Sequence, residues 1–324
     1  MIPDNKQAGA ALLSILLIVA TLSIAALMAT EAIARQTELQ KLGARRAIAA
    51  WAARSAEAAA LASVNDLVGA SRLPATGESE DRTHVVALPL DGGQIILSLK
   101  ELPPCFNLNT LGHPDEAVRD RQAAILALLL EDLGAPRSDT SSLIAMVSDW
   151  IDGDSDTRPG GAEDAFYLAR QNGYRAANQP LQSLAELEAL PGFTPQLRAA
   201  IAGSVCVIPS TEPLELNLNA LTLESAPLLR ATTHGVLSLT ETRRFIESRP
   251  ASGWNSIEDV RAYAARRGAL EDALSDLPMA VQGSHFIADG TAALDTGSWG
   301  FDFLLRANAT NPPEIVWRSM GGVT

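Results

Sequence analysis

Proline is missing from Asp4 to Leu73, and no charged side chain occurs between Lys6 and Glu31. The first absence leaves nothing to break a helix over that span. The second leaves an apolar run from Gly9 through Met28, which reaches the roughly 20 residues needed to cross a bilayer core about 30 Å thick. Basic residues are scarce: 25 Lys and Arg stand against 38 Asp and Glu, giving a formal charge of −13 and a pI near 4.8. Such a balance argues against a surface built for phosphate backbones, which takes dense Lys and Arg, and no nucleic-acid partner is expected. His84, His113, His234 and His285 are scattered without metal-ligand spacing, and no serine stands in a Gly-x-Ser-x-Gly turn. Carboxylates are paired only in one loop, so nothing marks a catalytic centre and no enzyme is expected. Cysteine is limited to Cys105 and Cys206, whose number and separation match no zinc site.

What is present begins with the amino-terminal rod. After Glu31 the sequence stays rich in Ala, Leu, Glu, Arg and Gln, all strong helix formers, so one helix is expected to run from the apolar segment into water. Ile48, Trp51, Ala58 and Leu61 recur at near-helical spacing and are expected to face a globular domain. The apolar segment admits three readings: a secretory signal cut near Ala32-Ile33-Ala34, a plain anchor, or a short polar leader ending at Gly9 ahead of a spine helix.

Beyond the polar stretch Gly69 to Arg82, the runs His84 to Leu90 and Gln94 to Leu99 flank Asp91-Gly92-Gly93, a hairpin signal. From Leu108 to about Leu277 the periodicity is helical, clearest over Ala123 to Leu133, Ser141 to Ile151, Leu184 to Leu190 and Ser256 to Arg267. Strand signals return over Ser284 to Ile287, Gly300 to Leu305 and Glu314 to Arg318. Strands, helices and strands again give an α+β fold, a small antiparallel sheet with a large helical insertion. The expected divisions are 1–9, a leader; 10–68, the spine helix; 69–104, the first part of the sheet; 105–280, the helical domain of two small modules; and 281–324, the closing strands.

The sharpest chemistry lies in Asp149 to Asp164. Asp152, Asp154 and Asp156 alternate and Glu163 takes the twelfth place from Asp152, as in a loop that converges carboxylates on one hard cation. Thr157 stands where an EF-hand needs glycine, and Pro159 where it prefers an apolar residue, so the loop is no ordinary EF-hand. A solvated acidic turn that caps helices is the other reading of the same residues. Asn107-Leu108-Asn109 and Asn217-Leu218-Asn219 open two helical stretches that suggest a duplication. Leu184 to Phe193 and Ser256 to Val260 complete the two copies, with Pro191-Gly192-Phe193-Thr194 and Thr233-His234-Gly235-Val236 as their glycine hairpins. These copies resemble helix-hairpin-helix modules of membrane-anchored DNA-uptake proteins, the rival functional reading.

A leader ending in Gly9 before an uninterrupted apolar helix resembles that of type IV pilins and type II secretion pseudopilins. The resemblance implies cleavage after Gly9 by prepilin peptidase and N-methylation of Ala10. Ser14 stands where most members carry a glutamate at the fifth mature position. That departure, the inserted helical domain and the segment Asp149-Trp150-Ile151-Asp152 with Gly161-Ala162-Glu163-Asp164 and Tyr167 resemble the K-type minor pseudopilins. Membership implies a single-pass protein of the bacterial inner membrane, its amino terminus cytoplasmic and its globular part periplasmic. It implies a place at the pseudopilus tip with I- and J-type minor pseudopilins, built through the inner-membrane assembly platform to support protein export. It also implies structural Ca2+ in the helical domain, for which Asp152, Asp154, Asp156, Glu163 and Asp164 are the candidate ligands. In an exported chain Cys105 and Cys206 are expected to form a disulfide.

Overall fold

A computed structural model describes residues 6–69, 83–295, 297–307 and 312–323. Met1 to Asn5 of the expected leader and 70–82 of the expected polar loop lie outside the described residues. Helix α1 spans Lys6–Gly69, and its backbone includes Gly9 and Ala10. At 1.5 Å per residue it is about 96 Å long. Every residue from Leu12 to Ala47 is exposed, so more than half of this rod lies uncovered by the other described residues. Along this segment the hydroxyls of Thr21, Ser23 and Thr30 donate to carbonyls three or four residues back, so these donors are satisfied within the helix.

The rod meets the sheet through alanine. Ala52, Ala56, Ala60, Val64 and Leu67 are buried against Ile95, Leu97, Leu99, Phe286, Phe301 and Phe303. The expected face was a different one, and the structure corrects it. Trp51 is 55% exposed and Ala58 is also exposed, while Ile48 and Leu61 are only half-buried. Small side chains let a helix axis settle close to a sheet whose own face is aromatic; an indole at that contact would hold the two apart. Glu57 on the helix flank pairs with Arg318 at 2.5 Å, which ties the last strand to the rod.

Strands β1 (His84–Leu90) and β2 (Gly93–Glu101) form the expected hairpin around Gly92, whose φ of +77° suits glycine. The chain then makes its long excursion. It contains β3 (Phe106–Asn107), α2 (Glu116–Asp132), α3 (Arg137–Ile151), α4 (Asp164–Leu168), α5 (Pro195–Ile201) and β4 (Val205–Cys206). It continues with β5 (Leu216–Asn217), α6 (Ala226–Thr232), α7 (Leu239–Glu247), α8 (Ile257–Ala264), α9 (Ala269–Ser275) and β6 (Met279–Ala280). Leu184 to Glu188 form a 3-10 turn, where a helix was expected. The chain returns in β7 (His285–Leu294), β8 (Gly297–Arg306) and β9 (Glu314–Val323).

All five long strands form one antiparallel sheet in the order β1-β2-β7-β8-β9. Since β2 and β7 are direct neighbours, the helical body leaves and re-enters the sheet at one point. Leu102 N donates to the His285 carbonyl at 2.8 Å, closing that neck. Beside it a second small core, Cys206, Ile208 and Leu304 with Trp317 and Leu214 packed against them, joins the body to the sheet.

Candidate functional site

The acid loop starts at the last turn of α3. Asp149 there is completely buried, and its carboxylate accepts from the Arg158 backbone N–H at 3.1 Å and from the Arg158 guanidinium at 2.7 Å. The same guanidinium nitrogen also reaches Asp152 Oδ2. A buried carboxylate held by one strong cation and a backbone donor is stable only if the loop closes tightly over it. Gly161 permits this, since a Cβ at that position would lie 2.1 Å from Asp149 Oδ2. Asp149 and Arg158 were not expected as site residues, although Arg158 is the one cation in Asp149 to Asp164.

The other oxygen of Asp152 points elsewhere. Asp152 Oδ1 and both oxygens of Glu163 are buried without a hydrogen-bond partner, and Glu163 is only 4% exposed. Carboxylate oxygens of Asp152, Asp154 and Glu163 lie within 4.8 Å of one another. Burial pushes the Glu163 carboxyl up to about 7, with Asp149, Asp152, Asp154 and Asp164 adding repulsion. Of the five expected ligands the structure gathers these three. Asp164 is turned away, its oxygens taken by Arg175 at 2.5 Å and by the Ala176 N–H at 3.0 Å. Asp156 stands outside the group, and its N–H donates to Asp154 Oδ1 at 2.8 Å. Beneath the loop the buried Tyr167 stacks on Tyr174 and meets Trp150 edge-on, while Trp150 Nε1 donates to Glu186 at 3.1 Å.

Cys105 and Cys206 are joined by a disulfide. It lies beside the parallel pairing of β3 with β4, in which Asn107 stands opposite Cys206. The second copy closes the same way, β5 running parallel to β6 with Leu216 opposite Met279. The two asparagine motifs do identical work. Asn109 Nδ2 donates to the carbonyls of Leu181 and Ile208 and its Oδ1 accepts from Leu181 N–H. Asn219 Nδ2 donates to the carbonyls of Trp254 and Val281 and its Oδ1 accepts from Trp254 N–H. Each pinned residue stands two positions before a serine N-cap, Ser183 and Ser256. Arg230 Nη1 donates to both carboxylate oxygens of Asp132, at 2.8 and 2.9 Å, and fastens one copy to the other.

That register corrects the expected hairpin match. Gly192, with φ +86°, corresponds to Gly268, with φ +47°, since each follows the serine-capped turn of its copy; Gly235 corresponds instead to Gly134 between α2 and α3. The hairpin amides are committed internally. Gly134 N donates to Glu131, Ala135 N to Leu130, Gly235 N to Arg230, Val236 N to Thr233 and Phe193 N to Leu190, each to a backbone carbonyl. Ser238 N is held by the Glu241 carboxylate, a negative group where a phosphate would sit.

Two models of the family described as type II secretion system (T2SS), protein K match residues 104–210 and 216–277. The chain is 32% identical over 292 residues to the type II secretion system protein K of Klebsiella pneumoniae, covering 88% of each. It is 33% identical over 262 residues to that of Aeromonas hydrophila, covering 77% of this chain and 78% of the relative. Its fold resembles a chain in the crystal structure of the GspK-GspI-GspJ complex from the enterotoxigenic Escherichia coli type 2 secretion system. The TM-score is 0.66 at 24% identity, over 85% of this chain and 96% of that one.

Proposed function

The chain belongs to the protein K family of the type II secretion system, and from that premise we propose that it caps the secretion pseudopilus as a minor pseudopilin. The observation that carries this reading is the bare spine: from Leu12 to Ala47 every residue is exposed. Its first part is apolar enough to cross a membrane, and the rest stands free for neighbouring helices. The helical body at the far end of the spine is broad enough to block a further subunit above it, which suits the tip. I- and J-type minor pseudopilins are the partners, prepilin peptidase cuts after Gly9 and methylates Ala10, and the inner-membrane platform drives assembly. Ser14, lacking the glutamate common at this position, suits a subunit with none before it to neutralise. The work is mechanical and needs no bond chemistry. Intact mass of the protein taken from membranes of cells with the whole machinery tests this. A species beginning at methylated Ala10 is expected; an uncleaved chain or one starting near Arg35 overturns the reading.

Calcium at the acid loop is part of the same proposal. The donor set fits a hard cation: Asp152 Oδ1 and both Glu163 oxygens are buried and unpartnered beside Asp154. Asp152, Asp154 and Glu163 would hold the ion, which supplies the positive charge that three crowded carboxylates need. Arg158, occupied with Asp149 and the far oxygen of Asp152, keeps Asp152 oriented. Calcium added to chelator-stripped protein is expected to raise the melting temperature, with about 2.7 kcal/mol of stabilisation at a hundredfold excess over Kd. Glu163→Gln with Asp152→Asn should abolish that rise; a rise that survives both substitutions removes the ion from this site.

A further inference from the structure

At the neck between sheet and helical body lies a cleft of about 730 Å³ that takes part in neither the acid loop nor the spine. Its volume is that of a ligand site, within the usual range of roughly 300 to 1,000 Å³. Three connecting segments wall it: the outgoing linker with Pro103 and Pro104, the inter-module linker with Pro213, and the return with Pro278. Prolines contribute no N–H to these walls, and the Pro278 carbonyl accepts from the Leu216 N–H at 2.9 Å. Ile125 and Leu228 contribute apolar floor.

The rim has one sign. Glu101, Glu212, Glu215, Asp272 and Asp276 line the cleft, against the single guanidinium of Arg121. Glu101 accepts from Asn217 and Glu212 lies 3.5 Å from His113 Nε2. Glu215, Asp272 and Asp276 are exposed and enter no ion pair among the described residues. His285 also lines the cleft, and burial holds its imidazole below the usual range, so at neutral pH it adds no positive charge to offset the carboxylates.

The geometry points to this cleft as the docking site for an extended basic segment of another polypeptide, its guanidinium or ammonium groups on the rim carboxylates and its stems along the apolar floor. Charge complementarity selects the occupant: a slot with five carboxylates against one guanidinium is satisfied by a cationic guest and repels an acidic one. The inference rests on the cavity and its rim, not on the filament reading, and holds or fails separately from it.

The probe is a fluorescein-labelled peptide of alternating Arg and Ala, six residues long and capped at both ends, added to the full chain in nonionic detergent while anisotropy is followed. Asp272→Asn with Asp276→Asn is expected to weaken binding about tenfold, and Glu215→Gln, on a different element, about threefold. Glu258→Gln with Asp259→Asn removes the same charge from α8, outside the cleft, and should change binding less than twofold. Unchanged melting temperatures of the rim variants separate lost binding from lost folding. No binding to the unmodified chain overturns the assignment, as does an equal loss in both double variants, which means general attraction to an acidic protein. Equal affinity for the Glu-Ala counterpart of the peptide overturns it too.

Discussion

Removing the side chain of Asn109 takes three hydrogen bonds from one buried point. Leu181 loses the partners of both its N–H and its carbonyl, while the Ile208 carbonyl loses one donor and keeps the Ser210 N–H at 2.7 Å. Asn109 is fully buried, so water does not reach these groups without opening the module. Each orphaned backbone group costs about 1 to 3 kcal/mol. Two such groups put the cost of Asn109→Ala near 4 kcal/mol, above the usual range for one substitution. Asn219→Ala takes this partner from the Trp254 N–H and carbonyl and from the Val281 carbonyl, and should cost at least as much. In urea, with a slope of about 2 kcal/mol per M, that is a midpoint shift of about 2 M. The assay is far-UV circular dichroism of the full chain in detergent, with exposed Asn65→Ala as the control. A shift under about 0.5 M for Asn109→Ala refutes the view that this amide pins the module.

Two further outcomes follow from the neck. Reducing Cys105–Cys206, or replacing both by serine, opens a loop with a sequence separation of 101. In the chain-entropy account this costs about 4.7 kcal/mol, read as a fall in the melting temperature of the helical body. His285 is shifted below the usual histidine range by burial first and by Arg306 second. A lowered folded-state value means that the unfolded chain takes up the proton more readily. Stability is therefore full above the unfolded pKa of about 6.5 and falls as the pH drops from there towards the lower folded value. His285→Gln should flatten that acid limb in melting curves between pH 7 and 5, and an unchanged limb counts against His285 as its source.

How far the sequence could be read depended on whether the decisive contacts were local. The spine helix, the hairpin at Asp91-Gly92-Gly93 and the gathering of Asp152, Asp154 and Glu163 are each written in one contiguous stretch, so they could be read from it. The buried face of the spine did not. A periodicity argument weighs large apolar residues, so it chose Trp51 over Ala52 and Ala56, although closeness to the sheet is what decides that contact. Leu184 to Leu190 reads as helix by composition, yet the serine cap and the following Pro191-Gly192 leave room for only one 3-10 turn. The two-residue parallel pairings were invisible because their partners lie far apart in sequence, as Asn107 and Cys206 do. Asp149 opens the acidic stretch, and nothing local marks it as the loop's buried anchor; a buried acid needs a cation, and Arg158 is the one cation in that stretch.

The two copies also explain why the acid loop occurs once. In each, an asparagine pins the residue that starts the next serine-capped turn, and the chain must travel from the second helix to that pin. In the second copy α7 ends at Glu247 and the pinned residue is Trp254, a short path that Arg249 braces by donating to the carbonyls of Leu218 and Leu221. In the first copy α3 ends at Ile151 and the pinned residue is Leu181; the long path between them contains only the five residues of α4. A connection of that length with so little regular structure keeps much conformational freedom, which has to be offset by ties away from its ends. The buried Tyr167 is one tie, and the carboxylates converging from Asp152, Asp154 and Glu163 are the other. Without a cation the second tie is repulsive, so the proposed ion answers a repulsion that arises in this insertion. On this argument the proposed ion would serve the loop and not the helical module, and the second copy, whose path is short, carries no matching acidic stretch.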